Sequence, residues 1–208
     1  MSHTATLTAE PHRPMPGLGV YDQKLGMWVF LLSEVMFFTG LIGSYIILRF
    51  AHPDAWTEPG TVLNVPLTAA NTFILIVSSV TMVKAFAAIE HGDQRRLRLW
   101  LLATVLLGAL FLSVQVFEYI KLAGHGFVPA VARYAAEGGP LYGMTFYIMT
   151  GFHGLHVTIG VLCMAFVTLK AFRGRYTREA HGGVEAIGLY WHFVDLVWIV
   201  LFTIVYLI

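Results

Sequence analysis

The chain has 208 residues, of which 57% are hydrophobic and only 12% charged. A soluble domain carries about twice that share of charge, so the composition excludes an ordinary soluble enzyme and points to a polytopic membrane protein. The formal net charge of +1 comes without a basic stripe, so no nucleic-acid partner is expected, and a single cysteine, Cys163, excludes an internal disulfide or a cysteine-cage metal site.

Residues 1–21 contain His3, Pro11, His12, Pro14, Pro16 and Gly17 and no apolar stretch. They read as a flexible cytoplasmic tail without a cleaved signal peptide, so the first span doubles as the insertion signal. Residues 22–208 read as a single all-α transmembrane domain of five helices. The first span, about 25–48, has one ionisable residue, Glu34, and Arg49 ends it by snorkelling. A polar loop with Pro and Gly breakers follows. The second span, about 66–89, opens on Pro66, at a helical position where a missing N–H costs nothing. Its Asn71, Ser78 and Ser79 are polar enough to join helices. The short charged turn Glu90-His91-Gly92-Asp93-Gln94-Arg95-Arg96 leads to the third span, about 97–120, with Gln115 and Glu118 near its far end.

A loop bearing Arg133 and Glu137 precedes the fourth span, about 141–172. That span carries Thr150-Gly151-Phe152-His153-Gly154-Leu155-His156-Val157, in which two imidazoles three residues apart lie on one side of a helix. Lys170, Arg173, Arg175 and Arg178 follow it. The fifth span, about 185–207, contains Tyr190-Trp191-His192-Phe193-Val194-Asp195-Leu196-Val197-Trp198. The five segments do not align with one another, which disfavours a transporter built from repeats.

Orientation follows from the Lys/Arg bias. With the N-terminus inside, Arg13, Lys24, Lys84, Arg95, Arg96, Arg98, Lys170, Arg173, Arg175 and Arg178 are cytoplasmic, against Arg49, Lys121 and Arg133 outside. The C-terminus is then outside.

Depth along each span groups the buried polar residues. Glu34 lies about 14 Å from the inner end of its helix, His192 about 10 Å and Asp195 about 15 Å. His156 lies about 9 Å above the inner edge of a core about 30 Å thick, with His153 one turn nearer the centre. Two carboxylates and three imidazoles thus fall in one layer, and each alone in hydrocarbon costs free energy. Three readings stay open: a satisfied network that fixes helix packing, a proton-active or lipid-headgroup site, and a metal site using Glu34, His153 and His156. His156 is the best-placed partner for Glu34, with His153 or His192 second. The Lys170, Arg173, Arg175 and Arg178 cluster reads as the topological signal or as a phospholipid headgroup site. The dense aromatics read as interface belts at span ends and as packing inside.

Four motifs, in order, resemble subunit III of the haem-copper oxidases. They are Gly26-Met27-Trp28-Val29-Phe30-Leu31-Leu32-Ser33-Glu34-Val35-Met36-Phe37-Phe38-Thr39-Gly40, Gln115 through Glu118-Tyr119, and the two histidine-bearing stretches of the fourth and fifth spans. The resemblance covers about 23–208 and implies a non-catalytic subunit of a respiratory cytochrome c oxidase. It implies no haem or copper here, haem and copper in partner subunits, and direct contact with subunit I in a complex that also holds subunit II. It further implies bound phospholipid, support of assembly and of sustained proton uptake, and a place in the bacterial cytoplasmic membrane. Glu34 falls on the family's buried, carbodiimide-reactive glutamate, and Glu118, His153, His156, Glu185, His192 and Asp195 also fall on family positions. The first two helices of the seven-helix family form have no counterpart, which implies the short five-helix form and two extra helices on subunit I. Subunit III of a quinol oxidase, an accessory subunit of nitric oxide reductase and a stand-alone proton-coupled carrier are the alternatives.

Overall fold

The structure is a computed structural model that describes residues 22–53, 56, 63–125 and 139–208. The expected tail 1–21, Arg133 and Glu137 lie outside the described residues. The five apolar runs form five helices long and apolar enough to cross a membrane: α1 Asp22–Ala51, α2 Val65–Glu90, α3 Gln94–Gly124, α4 Gly139–Phe172 and α5 Gly182–Phe202. The chain after α5 widens into a π-helical turn, Thr203–Leu207. No strand occurs among the described residues.

Local chemistry sets the helix ends. Asn64 Oδ1 accepts the Leu67 N–H at 3.2 Å, and Pro66 occupies the first turn of α2, where an N–H has no intrahelical partner anyway. Gly92, at φ 75°, closes α2: the Asp93 N–H reaches back to Ala88 O at 2.9 Å. Asp93 then caps α3 by accepting the Arg96 N–H at 3.0 Å. A glycine stop followed at once by an aspartate start makes α2 and α3 a tight antiparallel pair.

Helices α2 to α5 pack as a closed ring, each against two neighbours, with the α2–α3 contact the most extensive. Leu75, Met82, Leu101, Phe111, Phe146, Val157, Trp191 and Trp198 fill its centre. Trp191 meets Ser78 and Trp198 meets Thr72, so α5 runs against α2. Each indole N–H donates at 2.9 Å to a hydroxyl of α2, which satisfies the polar edge of a buried ring. Gly108 and Gly160 make room for Trp191: a Cβ on Gly108 would stand 2.7 Å from the ring. Thr81 and Thr104 share a hydrogen bond of 2.8 Å between α2 and α3, and Asn71 Nδ2 donates to Phe111 O at 3.1 Å. Among helices without a hydrophobic drive to associate in lipid, such bonds and close packing hold the bundle.

Helix α1 stands outside the ring, against α5 and α4. Its apolar window is 6% buried, where those of α2 and α5 are 50% buried, so α1 is the least enclosed element. Trp28, Leu32, Met36, Ile47 and Phe50 are exposed on it.

Candidate functional site

The site begins where α1 meets α4. Glu34 Oε2 and His156 Nε2 are 3.0 Å apart, with side chains 17% and 13% exposed. His156 Nδ1 is 2.7 Å from Phe152 O. A carbonyl only accepts, so Nδ1 carries a proton and donates it there. The other nitrogen then shares one proton with Glu34: either the carboxyl donates to a neutral ring, or an imidazolium donates to a carboxylate. Both forms keep the same geometry and the same number of protons. Aromatic rings surround the pair, Phe38 lying 5.1 Å edge-on to the imidazole and Phe37 6.3 Å from it, with Phe152 against Phe37 at 5.2 Å. Tyr190 of α5 donates to His156 O at 2.9 Å, so three helices meet here.

His153 lies elsewhere. It is fully buried and stacks on Trp198 at 4.7 Å, with Phe111 edge-on at 6.2 Å. Neither ring nitrogen has a hydrogen-bond partner in the structure. Asp195 belongs to a third place, the α2–α5 contact, where its Oδ2 accepts from Ser79 Oγ at 2.6 Å. His192, one turn before Asp195 on α5, lines a shallow cleft with Met82, Phe86, Glu185 and Gly188.

Of the expected layer of Glu34, His153, His156, His192 and Asp195, hydrogen bonds join Glu34 to His156 and take Asp195 to Ser79, and none runs through all five. The reason is azimuth. Three helical steps turn a side chain by about 300°, so His153 and His156 differ by about 60° in direction. That is enough to aim one at the centre of the ring and the other at α1. Shared depth does not give shared contact. Among the described residues no three His, Cys, Asp or Glu side chains form a metal-holding group.

Glu118 is buried at the opposite end of α3. Thr68 donates to its Oε1 at 2.9 Å, and Tyr206 of the π turn donates to its Oε2 at 3.4 Å. It joins α3, α2 and the end of α5. Tyr119 beside it shares a hydrogen bond of 2.6 Å with Thr150 of α4. Glu185 pairs with Lys24 at 2.5 Å and so ties the start of α5 to the start of α1. Lys170 lies over the Phe166 ring at 4.5 Å, while Arg173, Arg175 and Arg178 are exposed on the turn after α4.

Sequence reasoning left out Ser79, Thr68, Tyr206 and Lys24 as partners of the acidic groups. A hydroxyl at helical spacing from other buried positions was the available signal for the first two. Nothing local marked Lys24 or Tyr206, whose partners are far along the chain.

Fold and site together define an integral membrane helix bundle in which Glu34, Glu118, Asp195 and the indoles of Trp191 and Trp198 bridge neighbouring helices. Residues 17–208 match the family described as cytochrome c oxidase subunit III. The chain is 41% identical over 185 residues to cytochrome c oxidase subunit 3 of Thermostichus vulcanus, covering 88% of this chain and 86% of that one. It is 41% identical over 205 residues to the protein of that name in Synechocystis sp., covering 96% and 80%. It is 39% identical over 186 residues to a probable cytochrome c oxidase subunit 3 of Mycobacterium bovis, covering 89% and 87%. The chain belongs to the cytochrome c oxidase subunit III family. It is thereby a membrane subunit of a haem-copper oxidase complex of aerobic respiration.

Proposed function

We propose that this chain is a non-catalytic subunit of a bacterial cytochrome c oxidase. It packs directly against the catalytic subunit I, in a complex with subunit II, and binds no haem or copper of its own. It lies in the cytoplasmic membrane with its N-terminus inside, the orientation that the excess of Lys and Arg at one set of helix ends favours. Its work is structural: it supports assembly, holds phospholipid and keeps proton uptake by subunit I sustained.

One observation carries this reading. Glu34, Glu118, Asp195, Trp191 and Trp198 each direct a polar atom to a neighbouring helix. Groups that serve a reaction converge on a cavity where substrate can sit. Here the buried groups are distributed along helix contacts, as polar residues that hold a membrane bundle are. A test is to purify the oxidase from cells lacking this subunit. Haem and copper per catalytic subunit should match the complete complex, and the incomplete complex should lose turnover faster. Loss of a stoichiometric haem or copper with the subunit would overturn the proposal.

A further inference from the structure

At the α2–α3 turn the two helices enclose a groove of about 570 Å³, lined by Lys84, Ala87, Ala88, His91, Asp93, Arg96 and Trp100. Its size is in the range of small-ligand sites. Three features give it a chemistry. Lys84 Nζ is held 4.5 Å over the Trp100 ring, which fixes an ammonium at the groove wall. Arg96 meets Asp93 through Nε at 3.3 Å, and its guanidinium has more N–H donors than that contact uses. The floor, Ala87 and Ala88, is small and apolar. Asp93 is the one acid in the lining and is already shared between Arg96 and the cap of α3. His91 is turned back on its own helix, its Nδ1 donating to Ala87 O at 2.8 Å.

The depth of the groove decides what anion fits. Lys84 and Trp100 are each six residues from the turn, about 9 Å along their helices. That is where tryptophan and the heads of long basic side chains settle at a membrane surface. Below Lys84 on the same face of α2, exposed Val80, Ile76 and Phe73 run down into the span at helical spacing. A ligand here meets two cations and an indole at its head and an apolar ridge along its tail.

We propose that this groove binds the phosphate headgroup of one anionic membrane phospholipid, with its acyl chains along the α2 ridge. Arg96 and Lys84 donate to the phosphate, and Trp100 covers the glycerol region. This site is separate from the Arg173 and Arg175 candidates after α4. It deepens the proposal that the subunit holds lipid.

The test is native mass spectrometry of the intact purified oxidase, titrated with phosphatidylglycerol in detergent and, separately, with phosphatidylcholine. With Lys84→Gln and Arg96→Gln together, the apparent affinity for one phosphatidylglycerol should fall roughly ten- to thirty-fold, since each cation near the surface is worth about one kcal/mol. Phosphatidylcholine binding should not change. Lys84→Arg with Arg96→Lys, which keeps both charges, should retain the lipid. Should the Gln pair fail to assemble, Arg96→Gln alone, whose side chain is 76% exposed, should still weaken binding several-fold. Unchanged phosphatidylglycerol binding in either variant overturns the site. Displacement of the lipid by an equal concentration of inorganic phosphate also overturns it, in favour of a small-anion site. The pair Arg173→Gln and Arg175→Gln separates the two claims. If only that pair loses lipid, this groove is wrong and the lipid-holding role stands. If neither does, both fall.

Discussion

Removing the Glu34 carboxyl should loosen the attachment of α1, and replacing it by an amide should not. In Glu34→Ala the Nε2 of His156 loses its partner at a place where the ring is only 13% exposed and Nδ1 is already committed to Phe152 O. An unpartnered buried acceptor costs about 1–3 kcal/mol, a factor of roughly 5 to 150 in the docked population. Helix α1 is poorly placed to absorb that loss. Among the described residues it packs chiefly on α5 and α4, and its other polar ties include Lys24 to Glu185, Arg49 to the Ile208 carbonyl and Tyr45 to Trp56. Glu34→Gln presents an N–H to the same nitrogen at nearly the same length. The assay is thermal inactivation of the purified oxidase in detergent, with retention of this subunit followed on a sizing column. The alanine variant should lose the subunit at a lower temperature, and the glutamine variant should track the unaltered complex. Equal behaviour of the two variants, both stable or both loose, would refute the argument. Both stable would mean the bond contributes nothing, and both loose would mean that α1 is held by charge, not by a neutral donor.

Further outcomes follow from packing. Gly108→Ala should destabilise the bundle by about 1–3 kcal/mol, because its Cβ would press on a rigid indole at 2.7 Å. Gly154→Ala, with nothing within 4 Å of the new Cβ, should leave the melting temperature of the complex unchanged. His153→Phe keeps the stack on Trp198 and should shift stability by less than about 1 kcal/mol; failure to assemble would show that the imidazole nitrogens matter. Lys24→Gln removes a pair in which the lysine is 35% exposed, so the loss should be no more than about 1 kcal/mol in a thermal melt and should shrink further with salt.

The five helices were legible because a lipid-facing helix needs an unbroken apolar run, and every such run in the chain became one. Pro66 at a helix start and Asn71 with Ser78 and Ser79 as joints were legible for the same kind of reason: residue type at a known helical position. The match of Glu34 to His156 came from depth, which rise per residue supplies. Hydrogen bonds do not run through all five groups of that layer, because depth leaves out direction. Whether His153 faces Trp198 or Glu34 depends on how α4 is rotated in the bundle, and that rotation is set by large groups such as Trp191 seating against Gly108 and Gly160. The Lys84–Trp100 groove was hidden for a related reason. It exists only because Gly92 and Asp93 fold α3 straight back on α2.

On the function proposed above, the buried acid of this subunit joins helices and does not carry the pumped proton. Proton pumping per electron, measured in reconstituted oxidase carrying Glu34→Gln, tests it most directly. An amide at this position can hold His156 but cannot release a proton to it. Electron transfer and pumping stoichiometry equal to those of the unaltered enzyme are expected. Full electron transfer with pumping abolished would instead make Glu34 a proton carrier.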